Sequence, residues 1–199
     1  DYKVTLIAEN DIDGCKPDTT EVYVPIRNIQ SKIATQEHWC TGSATLLSSV
    51  PCEQEIVGCK MGYTWSFPKY LEKPPIITDS DSTYTSLPSG NHKIQLEVRD
   101  VNGCKDTSYV DVIVHTLTAD FTSDLTAVCD SATIMLSDQS FTDNVIKTYS
   151  WNVAPTKNTP NINHTFGDLP QEDINIILTV KDSYGCVSSF TKIFNTYKP

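Results

Sequence analysis

Residues 94–104 read IQLEVRDVNGC, an alternating run that passes into a polar turn ending in Gly-Cys. The same arrangement appears as YKVTLIAENDIDGC at residues 2–15 and as IILTVKDSYGC at residues 176–186. Alternation of apolar and polar residues with a period of two predicts a half-buried β-strand. The Gly-Cys cysteines stand at positions 15, 104 and 186, so successive copies are 89 and 82 residues apart. A self-similar unit of that length predicts tandem domains.

The spacing predicts two complete units and part of a third. We expect the last strands of a truncated repeat at residues 1–27, one complete unit at 28–116 and another at 117–199. Each complete unit contains six or seven short alternating segments and one central tryptophan, Trp65 or Trp151. No apolar period of 3.6 persists along either unit. The predicted fold class is therefore all-β, with tandem immunoglobulin-like β-sandwiches whose tryptophan fills the space between the sheets.

Composition and motifs bear on the class of function. Lys plus Arg number 15 and Asp plus Glu number 25, giving a net charge of −10, which would repel a phosphate backbone, so we expect no nucleic-acid partner. No apolar run approaches the roughly 18 residues of a membrane helix, so we expect no membrane-spanning segment. Hydrolase, metalloprotease and phosphate-loop motifs are missing, and the four histidines are scattered. We therefore expect no enzyme and no catalytic residues.

Four of the seven cysteines occupy matched places in the two complete units. Cys40 and Cys129 each open a strand, and Cys104 and Cys186 each follow the glycine of the late turn. The match predicts two intradomain disulfides, Cys40–Cys104 and Cys129–Cys186. Each would close a long loop and contribute roughly 4 kcal/mol in the chain-entropy model.

The other cysteines have no such pattern. Cys52 and Cys59 bracket a short insertion, which we expect a third disulfide to pin. Cys15 is predicted to be unpaired by truncation, because its partner would lie in the front half of the first unit. The alternatives are metal ligation and reduced thiols, but there is no Cys-x-x-Cys and the histidines do not have the spacing of a zinc site. Disulfides predict an extracellular location.

The order Cys, Tyr-x-Trp, Leu-Pro, strand, Asp-x-x-Gly-Cys resembles the PKD domain. It is similar in particular to the PKD-like repeats of cell-surface adhesins from gliding, Bacteroidota-type bacteria, and the resemblance covers nearly the whole chain. The chain departs from the family where Trp65 is followed by Ser-Phe-Pro-Lys instead of a Phe-Gly-Asp-Gly hairpin, so related short adhesin repeats remain an alternative parent. Either resemblance implies a non-enzymatic array on the cell surface, often exported by the type IX secretion pathway.

Two features are not required by the repeat and are candidates for ligand binding. Trp39 stands where the second complete unit has Val128. Tyr70 and Leu71 lie on a proline-stiffened segment, residues 68–75, and loops on a rigid scaffold often carry function. The alternative is that Trp39 packs at the domain junction and that Tyr70 covers a sheet face.

We expect no cofactor, and the one alternative is calcium bound at oxygen-rich turns. The candidate calcium ligands are Asp11, Asp13, Asp79 and Asp81. Three short sequences look like the O-glycosylation sequon of the Bacteroidota, and their candidate acceptors are Thr19, Ser82 and Ser131.

These observations favour a semi-rigid spacer in a bacterial surface adhesin that serves adhesion or gliding. Its first partners would be neighbouring repeats of the same chain, because the linker between the two complete units is short. The alternatives are a recognition module that binds a surface glycan or protein, and a pair of accessory domains of a secreted hydrolase.

Overall fold

A computed structural model describes residues 2–9, 16–24, 29–49, 61–167 and 173–197 of the chain. Every regular element within these ranges is a β-strand. The all-β fold class predicted from the alternating segments is therefore confirmed. Within the same ranges, no helix is long and apolar enough to cross a bilayer.

The first sandwich contains eight strands in two sheets. These strands are β3 (Ile33–Ala34), β4 (His38–Cys40), β5 (Thr45–Ser49), β6 (Met61–Ser66), β7 (Ile76–Thr78), β8 (Ser82–Thr85), β9 (Gly90–Asp100) and β10 (Lys105–His115). One sheet has the order β4-β10-β9-β6-β7 and the other has the order β3-β5-β8. The N-terminal edge segment of the sandwich is divided between the two sheets: β3 pairs antiparallel with β5 in one sheet, whereas β4 pairs parallel with β10 in the other. We call this arrangement the divided first edge. Two facing sheets that are antiparallel except at β4, connected in this way, form an immunoglobulin-like sandwich.

The alternation read from residues 94–104 fills the core of the first sandwich. Ile94, Leu96 and Val98 on β9 are fully buried, while the residues between them point to the other face. Trp65 on β6 is also fully buried. The predicted position of this tryptophan between the sheets is therefore where the structure has it.

The second sandwich repeats this plan. Its strands are β11 (Leu117–Thr118), β12 (Phe121–Ser123), β13 (Ala127–Cys129), β14 (Thr133–Asp138), β15 (Phe141–Thr142), β16 (Ile146–Trp151), β17 (Asn161–Thr165), β18 (Ile174–Asp182) and β19 (Val187–Tyr197). The main sheets have the orders β13-β19-β18-β16 and β12-β14-β17, and β11 pairs with β15 beside them. The divided first edge recurs, because β12 pairs antiparallel with β14 while β13 pairs parallel with β19.

Each sandwich has its own apolar core. The first core is built around Trp65 and includes Trp39, Leu47, Leu96 and Val114. The second is built around Trp151, which Phe121 contacts edge to face at 5.2 Å between ring centroids. Buried strand residues from both sheets close each core, as expected for sheets packed face to face.

A separate hairpin lies ahead of the sandwiches. It consists of β1 (Tyr2–Ala8) and β2 (Asp18–Val24), paired antiparallel from Tyr2 opposite Val24 to Ala8 opposite Asp18. Every residue of both strands is exposed, including Leu6 at 64 %. The hairpin exposes its apolar side chains to solvent. The interpretation of these segments as the last two strands of a preceding repeat stays a prediction.

Candidate functional site at the junction of the sandwiches

The turn between β18 and β19 is built around one buried carboxylate. Asp182 is 2 % exposed, and its Oδ1 accepts hydrogen bonds from the backbone N–H groups of Tyr184 and Cys186 at 3.0 and 2.9 Å. Gly185 takes a φ of +92°, a left-handed conformation in which glycine avoids the strain of a side chain. The Asp-x-x-Gly-Cys motif therefore specifies a turn: the aspartate carboxylate accepts hydrogen bonds from the backbone N–H groups of the turn, and the glycine permits the left-handed conformation that reverses the chain direction.

The turn between β9 and β10 has the same geometry. The Oδ1 atom of Asp100 accepts from the backbone N–H groups of Asn102 and Cys104, both at 2.9 Å, and Gly103 has a φ of +85°. The two cysteines differ in what surrounds them. Cys104 is exposed and its thiol is free, whereas Cys186 is 3 % exposed and bonded.

The bonded partner of Cys186 is Cys40, at the end of β4 in the other sandwich. The two sulfur atoms are 2.07 Å apart and the Cα atoms 5.5 Å apart, across a sequence separation of 146 residues. The predicted intradomain pairs Cys40–Cys104 and Cys129–Cys186 are therefore wrong. A disulfide was correctly expected for Cys40 and Cys186, but it joins the sandwiches to each other.

Strand register explains why the predicted intradomain pairs cannot form. Cys40 lies beside His115 at the last residue of β10, whereas Cys104 directly precedes Lys105 at the first residue of that strand. A strand rises about 3.3 Å per residue, so the two cysteines lie about 35 Å apart at opposite ends of one sandwich. A disulfide requires Cα atoms within about 7 Å.

The remaining cysteines divide into two groups. Cys129, at the end of β13, is exposed and its thiol is free, as is that of Cys104. The predicted disulfide Cys52–Cys59 and the unpaired state predicted for Cys15 lie outside the described residues.

Aromatic rings surround the disulfide and bridge the same two sandwiches. Tyr184, two residues before Cys186, stacks on His38 at 3.9 Å and on His115 at 4.2 Å between ring centroids. The Nδ1 atom of His38 lies 3.0 Å from Nε2 of His115. The Nδ1 atom of His115 lies 3.3 Å from a carboxylate oxygen of Asp143 in the second sandwich. We call these four residues and the disulfide the junction cluster.

Hydrogen bonding in the junction cluster restricts its protonation. If His115 donates from Nδ1 to Asp143, its Nε2 is free to accept a hydrogen bond from His38. At least one of the two rings must be neutral for the bond between them to exist. The Oδ1 atom of Asp143 also accepts from the backbone N–H of Thr116 at 3.3 Å, which ties the linker to the second sandwich. The contacts of the junction cluster hold the two sandwiches in one relative orientation.

Sequence reasoning missed the histidines and the tyrosine of the junction cluster. The histidines were interpreted as scattered strand-end residues, and His115 does end a strand but is 7 % exposed. One signal was present in the sequence: His38 and Tyr184 each precede a bonded cysteine by two residues. On β4, side chains at that spacing share a face, which puts His38 beside Cys40, whereas Tyr184 is carried by the same turn as Cys186.

An open groove runs along the junction cluster. Its volume is about 540 Å³. It lies where the chain leaves β3 and crosses to β4, and Thr35 donates there to the carbonyl oxygen of Leu46 at 3.1 Å. Its lining residues come from both sandwiches: Ala34, Thr35, Gln36, His38, Trp39, Cys40, Ser43, Ala44, Thr45, Leu46, Ser48, Tyr184 and Gly185.

The three candidate ligand-binding residues have different surroundings. Trp39 is 2 % exposed and belongs to the first core, and its Nε1 donates to the carbonyl oxygen of Gln36 at 2.7 Å. Its ring therefore packs as core and offers no exposed face for a ligand. Tyr70 packs against the same core and meets His92 edge to face, whereas Leu71 is 90 % exposed. Of these three side chains, Leu71 alone is exposed, so they do not form a shared binding surface.

None of the described candidate calcium and glycosylation residues belongs to the junction cluster. Asp79 is exposed and Asp81 is partly buried, and burial together with the negative charge of Asp81 raises the pKa of Tyr63. No group of three or more potential metal ligands occurs among the described residues, and Asp11 and Asp13 lie outside them. Thr19 and Ser131 are exposed and Ser82 is partly buried, and glycosylation of all three stays a prediction.

Comparison with known proteins returns structures and no families. No protein-family model and no curated protein matches the chain. The fibronectin(III)-like modules of Clostridium thermocellum CbhA align over 85 % of this chain and 95 % of theirs, with 11 % identity and a TM-score of 0.40. A C-terminal intimin fragment, solved with an intimin-binding domain of its translocated receptor, aligns over 84 % of this chain and 64 % of its own, with 10 % identity and a TM-score of 0.48.

A third match is the Bacteroides ovatus protein SGBP-B, solved with a mixed-linkage heptasaccharide. It aligns over 85 % of this chain and 48 % of its own, with 12 % identity and a TM-score of 0.33. The chain thus spans less than two thirds of the intimin and SGBP-B chains. The immunoglobulin-like assignment rests on the strand order, the divided first edge and the buried tryptophans described above.

Proposed function

We propose that this chain is a non-enzymatic, extracellular segment of a large bacterial surface adhesin and acts as a semi-rigid spacer. The observation that carries the proposal is the Cys40–Cys186 disulfide between two successive sandwiches. A covalent bond at the junction removes most of the hinge motion that a short linker alone would permit. Spacing a functional element away from a cell requires this resistance to bending.

The boundary between the two units is part of the proposal. We place complete units at residues 28–116 and 117–199, after a partial unit at 1–27. The separate cores around Trp65 and Trp151 support this division. So does the recurrence of the divided first edge in both sandwiches.

An extracellular location is consistent with the bond itself. Disulfides persist in oxidising compartments and are rare in the cytoplasm. The acidic composition suits a surface that stays soluble and monomeric. The resemblance to PKD-like repeats adds the cell surface, gliding bacteria and type IX export to the proposal.

Small-angle scattering under oxidising and reducing conditions tests the spacer. We expect the oxidised chain to scatter as one elongated body, and Cys40→Ser or Cys186→Ser to give the broader distance distribution of two linked bodies. The matched controls are Cys104→Ser and Cys129→Ser, which remove free, exposed thiols and should leave the scattering unchanged. Independent tumbling of the two sandwiches in the oxidised wild type would contradict a spacer function.

A second candidate function is recognition of a glycan or protein by the loop that carries Leu71. This side chain is 90 % exposed, whereas the neighbouring Tyr70 packs against the core and fixes the loop. Leu71→Ser should abolish adhesion of the parent protein if the loop binds a ligand. The exposed Leu125→Ser is a matched control on the other sandwich. Unchanged adhesion in both variants favours the spacer.

A further inference from the structure

The two free thiols of the described residues stand in the same structural positions as the two bonded ones. Cys104 and Cys129 are both exposed. Cys104 lies in the β9–β10 turn, which the β18–β19 turn repeats, and Cys129 lies on β13, which repeats β4. Exposed thiols in an otherwise oxidised protein require a partner or a reason to remain reduced. Their position indicates the partner.

Cys129 is equivalent to Cys40. In the first sandwich, β4 runs parallel to β10, and Cys40 lies beside His115 at the last position of the pairing. In the second, β13 runs parallel to β19, and Cys129 lies beside Tyr197 at the last position. The residues before the cysteines, Trp39 and Val128, are both buried, so the two strands also have the same facing. Cys129 therefore occupies the position that Cys40, the strand cysteine, has in the inter-sandwich disulfide.

Cys104 is equivalent to Cys186. Both follow the glycine of an Asp-x-x-Gly-Cys turn, and both donate a backbone hydrogen bond of 2.9 Å to the turn aspartate, Asp100 or Asp182. In each turn, the aspartate N–H also donates to the carbonyl oxygen of the cysteine at 3.0 Å. Cys104 therefore occupies the position that Cys186, the turn cysteine, has in the inter-sandwich disulfide.

The two free cysteines, Cys104 and Cys129, lie at opposite ends of the pair of sandwiches. The bonded pair joins the end of β10 in the first sandwich to the β18–β19 turn of the second, so the sandwiches are arranged head to tail. Cys104 is then at the outer end of the first sandwich, and Cys129 is at the outer end of the second. Since each lies about one strand length, 35 Å, from the junction, they cannot bond to each other within this chain.

We infer that Cys104 and Cys129 each form this inter-sandwich disulfide with an adjoining sandwich of the same polypeptide. Cys129 bonds to the Gly-Cys turn of the sandwich that follows, and Cys104 to the strand cysteine of the one that precedes. The repeat length is compatible with this, because the strand cysteines Cys40 and Cys129 are 89 residues apart, and the turn cysteines Cys15, Cys104 and Cys186 are 89 and 82 residues apart. The inference rests on the proposed function and extends it: every junction of the array is covalently closed.

The oxidation balances with an ordinary disulfide oxidant. Cys129 and its partner together lose two protons and two electrons as their S–S bond forms. A small-molecule or protein disulfide accepts them by thiol–disulfide exchange and leaves as two thiols. Exposure of both thiols gives the oxidant access, and the left-handed glycine turn presents the second sulfur in a fixed place.

Thiol mapping in the longer parent protein tests the inference. The parent, and separately the 199-residue chain, are alkylated without reduction, digested and analysed by mass spectrometry. We expect Cys104 and Cys129 to be alkylated in the 199-residue chain and about ten-fold less in the parent. In the parent, the Cys129 peptide should be joined to a Gly-Cys peptide from a later sandwich. Alkylation of either cysteine there, or a bond to any other type of site, overturns the inference.

Two serine variants of the parent provide a matched control. Cys129→Ser should release one new alkylated Gly-Cys peptide and leave the Cys40–Cys186 bond intact. Cys40→Ser should instead release Cys186 alone. If Cys129→Ser releases no thiol, the inference is wrong even when the fold is unchanged by circular dichroism.

Failure of the inference and failure of the proposed function are distinguishable. Free Cys104 and Cys129 in a parent that still scatters as an elongated, semi-rigid body would overturn only the covalent closure of the other junctions. Closed junctions in a parent that scatters as freely jointed bodies would overturn only the spacer.

Discussion

Single carboxylates organise the two late turns, and they do so through backbone hydrogen bonds. The carboxylates of Asp100 and Asp182 each accept hydrogen bonds from two backbone N–H groups of their own turn. The exposure of Asp182 is only 2 %, so water cannot replace the lost acceptor in its turn. At the scale of the residue, the Asp-x-x-Gly-Cys motif is therefore a folding device that also places a sulfur atom.

Removal of the turn carboxylate should destabilise the second sandwich. We expect Asp182→Ala to lower the free energy of unfolding by about 2–3 kcal/mol, since two charge-assisted hydrogen bonds are lost. Asp111→Ala is the control, because that aspartate forms only an exposed ion pair with Lys93 and should cost less than about 1 kcal/mol. Urea denaturation followed by tryptophan fluorescence measures both. Equal effects of the two substitutions would show that the turn hydrogen bonds are unimportant.

Asp106 should make part of the free energy of unfolding depend on pH. The backbone N–H of Ser31 donates to its Oδ2 at 2.7 Å, and this hydrogen bond, before that of Thr107, lowers the pKa of Asp106 below its ordinary value of 3.8. A carboxyl whose pKa is lowered by folding stabilises the protein above the unfolded pKa, and this contribution is lost as pH falls through the folded one.

The corresponding measurement compares wild type with Asp106→Asn from pH 6 to pH 2. We expect the variant to unfold at lower urea concentration above pH 4, with the difference shrinking as the pH falls below the ordinary aspartate range. A difference that stays constant over the whole range would mean that the hydrogen bond from Ser31 does not distinguish the charged carboxylate.

Glycines in the turns and in the strands of this protein differ in backbone conformation. Gly103 and Gly185 close hairpins in the left-handed region, with φ of +85° and +92°, whereas Gly62 lies within β6 with an ordinary φ. A Cβ at Gly103 or Gly62 would meet no atom within 4 Å. The backbone conformation alone therefore separates the two positions, and this makes them a matched pair.

Alanine substitution tests that difference. Gly103→Ala should lower the free energy of unfolding by about 1–2 kcal/mol because an L side chain is strained at positive φ. Gly62→Ala should raise it by about 0.5–1 kcal/mol, since alanine loses less chain entropy than glycine in a strand. Chemical denaturation of the two variants gives the comparison. Destabilisation by both to the same extent would argue against the turn geometry described for residues 100–104.

Within the described part of the chain, two separate cores are joined by the Cys40–Cys186 disulfide and the aromatic rings of the junction cluster, and the β1–β2 hairpin lies ahead of them. The disulfide spans 146 residues, so it joins the sandwiches without closing either core. Coupling between the sandwiches then depends on the junction, and stability within each depends on its own buried strands. The two should be separable by experiment.

Cutting the bond should make the two unfolding transitions independent. In a Cys40→Ser background, Leu178→Ala should destabilise the second sandwich by about 2–5 kcal/mol through loss of a fully buried side chain. The transition of the first sandwich should then stay where it was. Calorimetry resolves the two transitions, and the mirror control is Leu47→Ala in the first core. Movement of both transitions by one core substitution would mean that the sandwiches unfold as a unit.

Local patterns in the sequence specify most of the architecture. The alternation in residues 94–104 and 176–186 predicts half-buried strands, and Ile94, Leu96 and Leu178 are fully buried in the structure. The central tryptophan and the late turn followed from the same short stretches. A strand's periodicity and a turn's hydrogen bonds depend on residues that are close in sequence, so they can be read from it.

The identity of the disulfide partners, by contrast, was decided only by the tertiary structure. Matched positions of Cys40 and Cys104 suggested a bond within one unit, but the parallel register of β4 with β10 puts those two cysteines at opposite ends of the sandwich. The end-to-end arrangement of the sandwiches then brings Cys186 and Tyr184 against Cys40 and the histidines. Which ends meet depends on the packing of whole bodies across the linker, and no short stretch of the chain encodes that distance.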